Sequence, residues 1–179
     1  MSSILDIDLD YFNLIENPEQ KLSELLTWGG CQIAFVVEKH HKAYARWKDR
    51  VNRGTLTQPS HILHIDEHHD IMSQQKQPNI ANFIFHAMQE WKNCQVYWMV
   101  DTPIDSPEMW IDDDVWGVLK SRFSIGSEIP KDWPKPDIVS ICTSPEFIND
   151  NLLQKLLKTS SEFMTKKQWA NIQQRYEKR

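Results

Sequence analysis

Two short runs in this chain place ionisable residues at alternate positions within apolar sequence, and few folds can bury such a pattern. The first is Leu5-Asp6-Ile7-Asp8-Leu9-Asp10; the second is Leu63-His64-Ile65-Asp66-Glu67-His68-His69-Asp70, which follows Ser60-His61-Ile62. A period of two belongs to a β-strand, whose successive side chains point to opposite faces. A strand over Ile4–Asp10 turns Asp6, Asp8 and Asp10 to one side. His64, Asp66, His68 and Asp70 share a side if the second run stays extended. Like charges within about 13 Å along one strand repel, and burying them unpaired is costly. A divalent cation relieves both penalties, because it neutralises carboxylates and accepts imidazole nitrogen. The competing reading is a solvated turn after each strand, with Asp6 capping a turn and Asp10 in water. Two such runs in one short chain favour the cation.

A third run, Val36-Val37-Glu38-Lys39-His40-His41, also follows an apolar strand and leads into a helix. It offers His40 as a further ligand, with His41 as the fallback. His61, His69 and His86 carry no such pattern and read as structural or surface groups. A length of 179 residues fits one domain, 1–179. A net charge of -5 without any basic block argues against a nucleic-acid partner. No apolar run approaches the roughly 20 residues of a membrane helix, so no membrane partner is expected. The chain opens Met1-Ser2-Ser3-Ile4 with no signal-peptide pattern. Cys31, Cys94 and Cys142 are odd in number, unpaired by spacing and set in apolar runs, as reduced core cysteines of a cytoplasmic protein would be. The tryptophans, eight in all, either pack the core or line a cleft.

Strands are expected at Ile4–Asp10, Gln32–Val37, Ser60–Leu63, Gln95–Val100 and Ile138–Cys142. Helices are expected between them: from Asn17-Pro18 to Gly29-Gly30, from Glu38 to Val51, and from Pro78-Asn79 through Ile80 to Trp91. Another runs from Pro145-Glu146 to Lys158. Prolines punctuate Asp101–Pro136, which reads as loops or short antiparallel pieces, and Thr165–Arg179 reads as a charged amphipathic helix peripheral to the domain. Strands alternating with helices imply a three-layer α/β/α architecture with a mostly parallel sheet, and function at the strand C-terminal ends.

Asp66-Glu67-His68-His69-Asp70 resembles the Asp-x-His-x-Asp motif of the arginase/agmatinase/deacetylase superfamily, and Asp8-Leu9-Asp10 resembles the Asp-x-Asp motif of its ureohydrolase branch. Together with Leu5–Phe12, Val36–His40 and Thr143-Ser144-Pro145-Glu146-Phe147, the pattern is similar to the peptide arginase family. Members of that family convert arginine residues of ribosomally made precursor peptides to ornithine. The match covers residues 4 to about 148. The chain is much shorter than an ordinary arginase, and its Asp-x-Asp run precedes its Asp-x-His-x-Asp run, the reverse of the arginase order. These departures bear on quaternary structure and substrate loops more than on the metal site.

The resemblance implies a minimal arginase-like fold and two Mn²⁺ held by Asp8, Asp10, His40, Asp66, His68 and Asp70. Four carboxylates balance two divalent cations, and oxygen-rich ligation with two imidazoles suits Mn²⁺ better than Zn²⁺. Such a pair acidifies a shared water, which can attack the guanidinium carbon and release urea. Glu146, then Glu38, are the candidates to hold the guanidinium, although Glu146 after Pro145 is also an ordinary first-turn helix residue. His64 or His41 would shuttle the proton, and Asn82 with the Trp110–Trp116 segment would line a peptide groove. The absence of a basic pair near the motifs accords with a peptide rather than free arginine. Three other readings remain open. One is a zinc deacetylase, and another is a phosphatase using Asp8 and Asp10 with Asp112-Asp113-Asp114 on Mg²⁺. The third is a peptide-binding module that keeps a structural metal. The sequence gives no signal for an oligomeric state.

Overall fold

Strand β1 (Ser2–Asp8) is buried at every position, as a strand covered on both faces must be. The computed structural model describes residues 1–176. Six strands form one sheet in the order β2-β6-β1-β3-β4-β5: β2 (Ile33–Val37), β3 (Pro59–Ile65), β4 (Gln95–Met99), β5 (Phe123–Gly126) and β6 (Ile138–Cys142) complete it. Every pairing is parallel. The helices are α1 (Pro18–Gly29), α2 (His41–Asn52), α3 (Phe83–Glu90), α4 (Asp113–Leu119), α5 (Asp150–Ser161) and α6 (Lys166–Tyr176). Alternation along the strands divides the interior in two. Leu5, Ile7, Leu63 and Ile141 pack with Leu22 and Leu26 of α1 and Leu153, Leu156 and Leu157 of α5. On the other face Ile4, Phe35, Ile62 and Val96 pack with Tyr44 and Trp47 of α2 and Phe83 and Met88 of α3. The result is the three-layer α/β/α architecture expected from the alternating strands and helices.

Several boundaries differ from expectation. β1 ends at Asp8 and the chain turns into a 3-10 segment over Leu9–Leu14, so Asp10 is not on the strand. β3 ends at Ile65, which puts Asp66–Asp70 in a turn where strand alternation no longer holds. Asn79 caps its own turn by accepting from the Ala81 N–H at 2.9 Å, and α3 starts only at Phe83. Ser144 takes a left-handed φ of 36°, and Asn149 supplies the cap of α5, so that helix begins at Asp150 rather than at Pro145. Residues 101–136 contain α4 and a parallel β5 instead of antiparallel pieces. The C-terminal helix is docked, not peripheral: Ile172 and Tyr176 are buried, and the Tyr176 hydroxyl meets Thr143 Oγ1 at 2.6 Å. The remainder of the expected helix, 177–179, lies outside the described residues. Gly30, with φ 68°, closes α1 where an L side chain would be strained. Among the described residues no helix is long and apolar enough to cross a membrane.

Candidate metal centre

Four adjacent strands, β2, β6, β1 and β3, deliver their C-terminal ends to one place, where the sheet order reverses direction in sequence. Open parallel sheets bind ligands at such points, because loops leaving neighbouring strands part there. β1 ends in Asp8, and the 3-10 turn folds Asp10 back beside it. His40 stands one residue ahead of α2, and the turn after β3 carries Asp66, His68 and Asp70. That turn closes tightly enough to force Asp70 to φ 51°. β6 ends in Cys142, and the loop after it carries Ser144.

His40 is the centre of the arrangement. Its Nδ1 lies 3.1 Å from Asp8 Oδ2, 3.0 Å from Asp66 Oδ2 and 3.3 Å from Asp70 Oδ2. One ring N–H cannot serve three carboxylates. Ligand atoms about 2.1 Å from a shared ion are about 3.0 Å apart across an octahedral edge and about 3.4 Å apart across a tetrahedral one. The observed spacings fall in that interval, so the residues fit a cation. Asp10, Asp66 and His68 form a second group whose ligand atoms lie within 4.8 Å of one another. Asp66 belongs to both groups, as a carboxylate bridging two ions would. Asp10 Oδ1 and Asp70 Oδ2 are buried without a hydrogen bond, a cost that a cation removes. Other oxygens are already placed: Ser144 Oγ donates to Asp8 Oδ2 at 2.5 Å and the His68 N–H donates to Asp66 Oδ1 at 2.8 Å.

Protons carry the charge balance within the protein itself. Burial, then the neighbouring Asp8 and Asp66, push Asp10 up to about 10. Burial raises Asp70 to about 7 with help from Asp66, and raises Asp8 to about 6 against the pull of His40. Asp66 goes the other way: bonds from His40 and His68 overcome its burial and hold it well below the usual carboxylate range. Burial opposes a charge on His40, yet the neighbouring Cys142 and the carboxylates of Asp8 and Asp6 push it well above the ordinary histidine range. His68 rises to about 9, chiefly through its bond to Asp66. A bound cation would displace these protons, so metal binding and proton release are coupled.

Beneath the cluster lies a fully buried layer. Asp6 pairs in register with His64 and Ser140 of the flanking strands. Ser140 Oγ donates to Asp6 Oδ1 at 2.7 Å, and Trp47 Nε1 donates to Ser140 Oγ at 3.2 Å. His64 has Nδ1 at 3.2 Å from Asp6 Oδ2 and Nε2 at 3.1 Å from the His68 carbonyl oxygen. Both partners are acceptors, so both ring nitrogens carry protons, and the imidazolium ties the ligand turn to β1.

Asp8, Asp10, His40, Asp66, His68 and Asp70 all line one cavity of about 200 Å³, and Glu38 and Glu146 line it as well. Glu146 lies 3.6 Å from Lys39 Nζ. The other candidates are elsewhere. Asn82 is buried and knits its own loop: Oδ1 accepts from the Asn79 N–H at 2.7 Å, and Nδ2 donates to Ser73 Oγ and the Gln77 carbonyl. It cannot reach a substrate. His64 is sealed below the cluster and held at both nitrogens, which suits it to positioning and not to shuttling protons. His41, Trp110 and Trp116 are not among the residues lining the cavity, and Asp112–Asp114 sit at the start of α4 away from it. His69 is buried, accepting from the Ile71 N–H at 3.0 Å and meeting Trp98 edge-on. Sequence reasoning missed Ser144 and also Cys142, whose sulfur groups with Asp8 and His40 within 4.8 Å. Its place in an apolar run gave no sign of this. Comparison with protein-family models, with curated proteins and with solved structures gives no match to this chain.

Proposed function

We propose that this chain is a binuclear manganese hydrolase that releases urea from arginine residues of a precursor peptide and leaves ornithine, as its resemblance to peptide arginases implies. The observation that carries the reading is the His40 Nδ1 surrounded by three carboxylate oxygens at 3.0–3.3 Å, with one of those carboxylates shared by a second ligand group. A bound pair of divalent cations supplies an acidified water able to attack at neutral pH. Such help is needed because a guanidinium is resonance-stabilised and stays protonated. The chain's own residues do the rest. Asp8, His40, Asp66 and Asp70 would hold one ion, and Asp10, Asp66 and His68 the other. Ser144 fixes the orientation of Asp8, and the His64 imidazolium fixes the turn that carries Asp66 and His68. At the mouth, Glu146 and Glu38 offer planar anions to the guanidinium, with Glu146 exchanging its Lys39 contact for the substrate. The free cysteines suit the reducing cytoplasm.

The test is metal analysis of the purified chain joined to a urea assay with Mn²⁺, comparing an arginine peptide with free arginine. Two ions per chain and urea from the peptide are expected, and Asp66→Ala or Asp8→Ala should abolish both. Wild-type rates in either variant would remove that residue from the mechanism. Acetate from acetyl-lysine or phosphate from an ester would instead identify a deacetylase or a phosphatase. Metal and peptide binding without any turnover would identify a binding module.

A further inference from the structure

We infer that the cavity mouth selects arginine residues with apolar neighbours in the peptide, and that Phe147 and Ile80 contact those neighbours. The inference rests on the proposed hydrolysis of peptide arginine. The cavity, at about 200 Å³, is smaller than the roughly 300–1,000 Å³ of pockets that enclose a whole small molecule. It has room for one side chain, so the residues on either side must lie across its rim. Its floor is carboxylate and imidazole, which calls for a cation. The rim differs in character: Met72, Ile80 and Ala81 come from the β3–α3 loop, and Pro145 and Phe147 from the β6–α5 loop.

Phe147 is 55% exposed and Ile80 39%, large apolar side chains left in water beside a charged cleft. Exposed apolar surface of this kind marks a contact site when it borders a ligand cavity. The Phe147 backbone is held in place by Asn13, whose Nδ2 donates to the Phe147 carbonyl at 2.9 Å.

The experiment uses the full chain loaded with Mn²⁺ and measures urea from acetyl-Leu-Arg-Leu-amide, acetyl-Ser-Arg-Ser-amide and free arginine. Burial of an apolar side chain predicts that kcat/KM for the leucine peptide exceeds that for the serine peptide by at least about tenfold. In Phe147→Ser and Ile80→Ser that ratio should fall to within about threefold. Equal values for the two peptides in the wild type would overturn the inference, as would an undiminished ratio in both variants. Urea from none of the substrates would defeat the underlying reaction; fluorescence anisotropy with labelled forms of the two peptides then decides. Equal affinities there would overturn the rim's selectivity, and tighter binding of the leucine peptide that is lost in Phe147→Ser would support it.

Discussion

Asp6 shows how one buried carboxylate can tie together the histidines of a cluster it lies beneath. It is fully buried, yet bonds and charge from His40 and His64 outweigh the burial and hold it at about 2. It is therefore an anion at any physiological pH. Its Oδ2 lies 3.2 Å from His40 Nε2, the ring nitrogen that faces away from the carboxylates of Asp8, Asp66 and Asp70, and 3.2 Å from His64 Nδ1. Partners of this type orient a ligating histidine, and their loss typically costs about 10–100-fold in metal affinity. Asp6→Asn keeps the shape and removes the charge. Calorimetric titration with Mn²⁺ should show weakening of that order while the far-UV spectrum stays native. Unchanged affinity would make Asp6 a bystander.

At the scale of elements, the site depends on how strands end more than on the strands themselves. The 3-10 turn after β1 and the turn after β3 bring Asp10, Asp66 and Asp70 together, although neither continues the alternation of the strand before it. The six-residue gap between Cys142 and Asn149 does the same for Ser144 and lines the mouth with Pro145 and Phe147. α6 supports this region from the opposite face. Its Tyr176 hydroxyl meets Thr143 Oγ1, and the Thr143 N–H donates to the Val37 carbonyl at 2.9 Å, joining the ends of β6 and β2. Tyr176→Phe should cost about 1 kcal/mol in a denaturant titration, more if Thr143 is left unsatisfied. A midpoint equal to the wild type would mean that water replaces the hydroxyl.

The whole molecule carries the cluster's charge in its stability. Asp8 and Asp70 titrate at about 6 and about 7 in the folded protein, against 3.8 when unfolded. Between those limits the native state binds more protons than the unfolded state, so metal-free stability falls as pH rises through the window. His40, held protonated above 6.5, has the same sign at higher pH. Asp6 has the opposite sign, but its contribution is lost only as pH falls toward about 2, and His69, pushed down by burial to about 4, opposes the trend only below 6.5. The metal-free protein should thus melt at a lower temperature at pH 8 than at pH 5. Saturating Mn²⁺ should raise the pH 8 value most, and a chelator should restore the original slope. A metal-free melting temperature that climbs from pH 5 to pH 8 would contradict the charge assignment.

Alternation of apolar and ionisable residues, read along the chain, was enough to specify buried strands, an α/β fold and a short list of chemically capable side chains. Period and sidedness are local properties, set by how adjacent residues share a strand. Partnership is not local. Ser144 reaches Asp8 across 136 residues because β6 inserts between β2 and β1, and nothing near either residue encodes that insertion. Asn82 and His64 mark the same boundary from the other side, since both have the right chemistry yet fold into the protein's own hydrogen bonds. Residue types and strand periodicity followed from the sequence alone. Which carboxylates gather around His40, and which residues form the rim of the cavity above them, followed from the packing of the complete sheet, because only packing fixes distances between segments that the chain holds far apart.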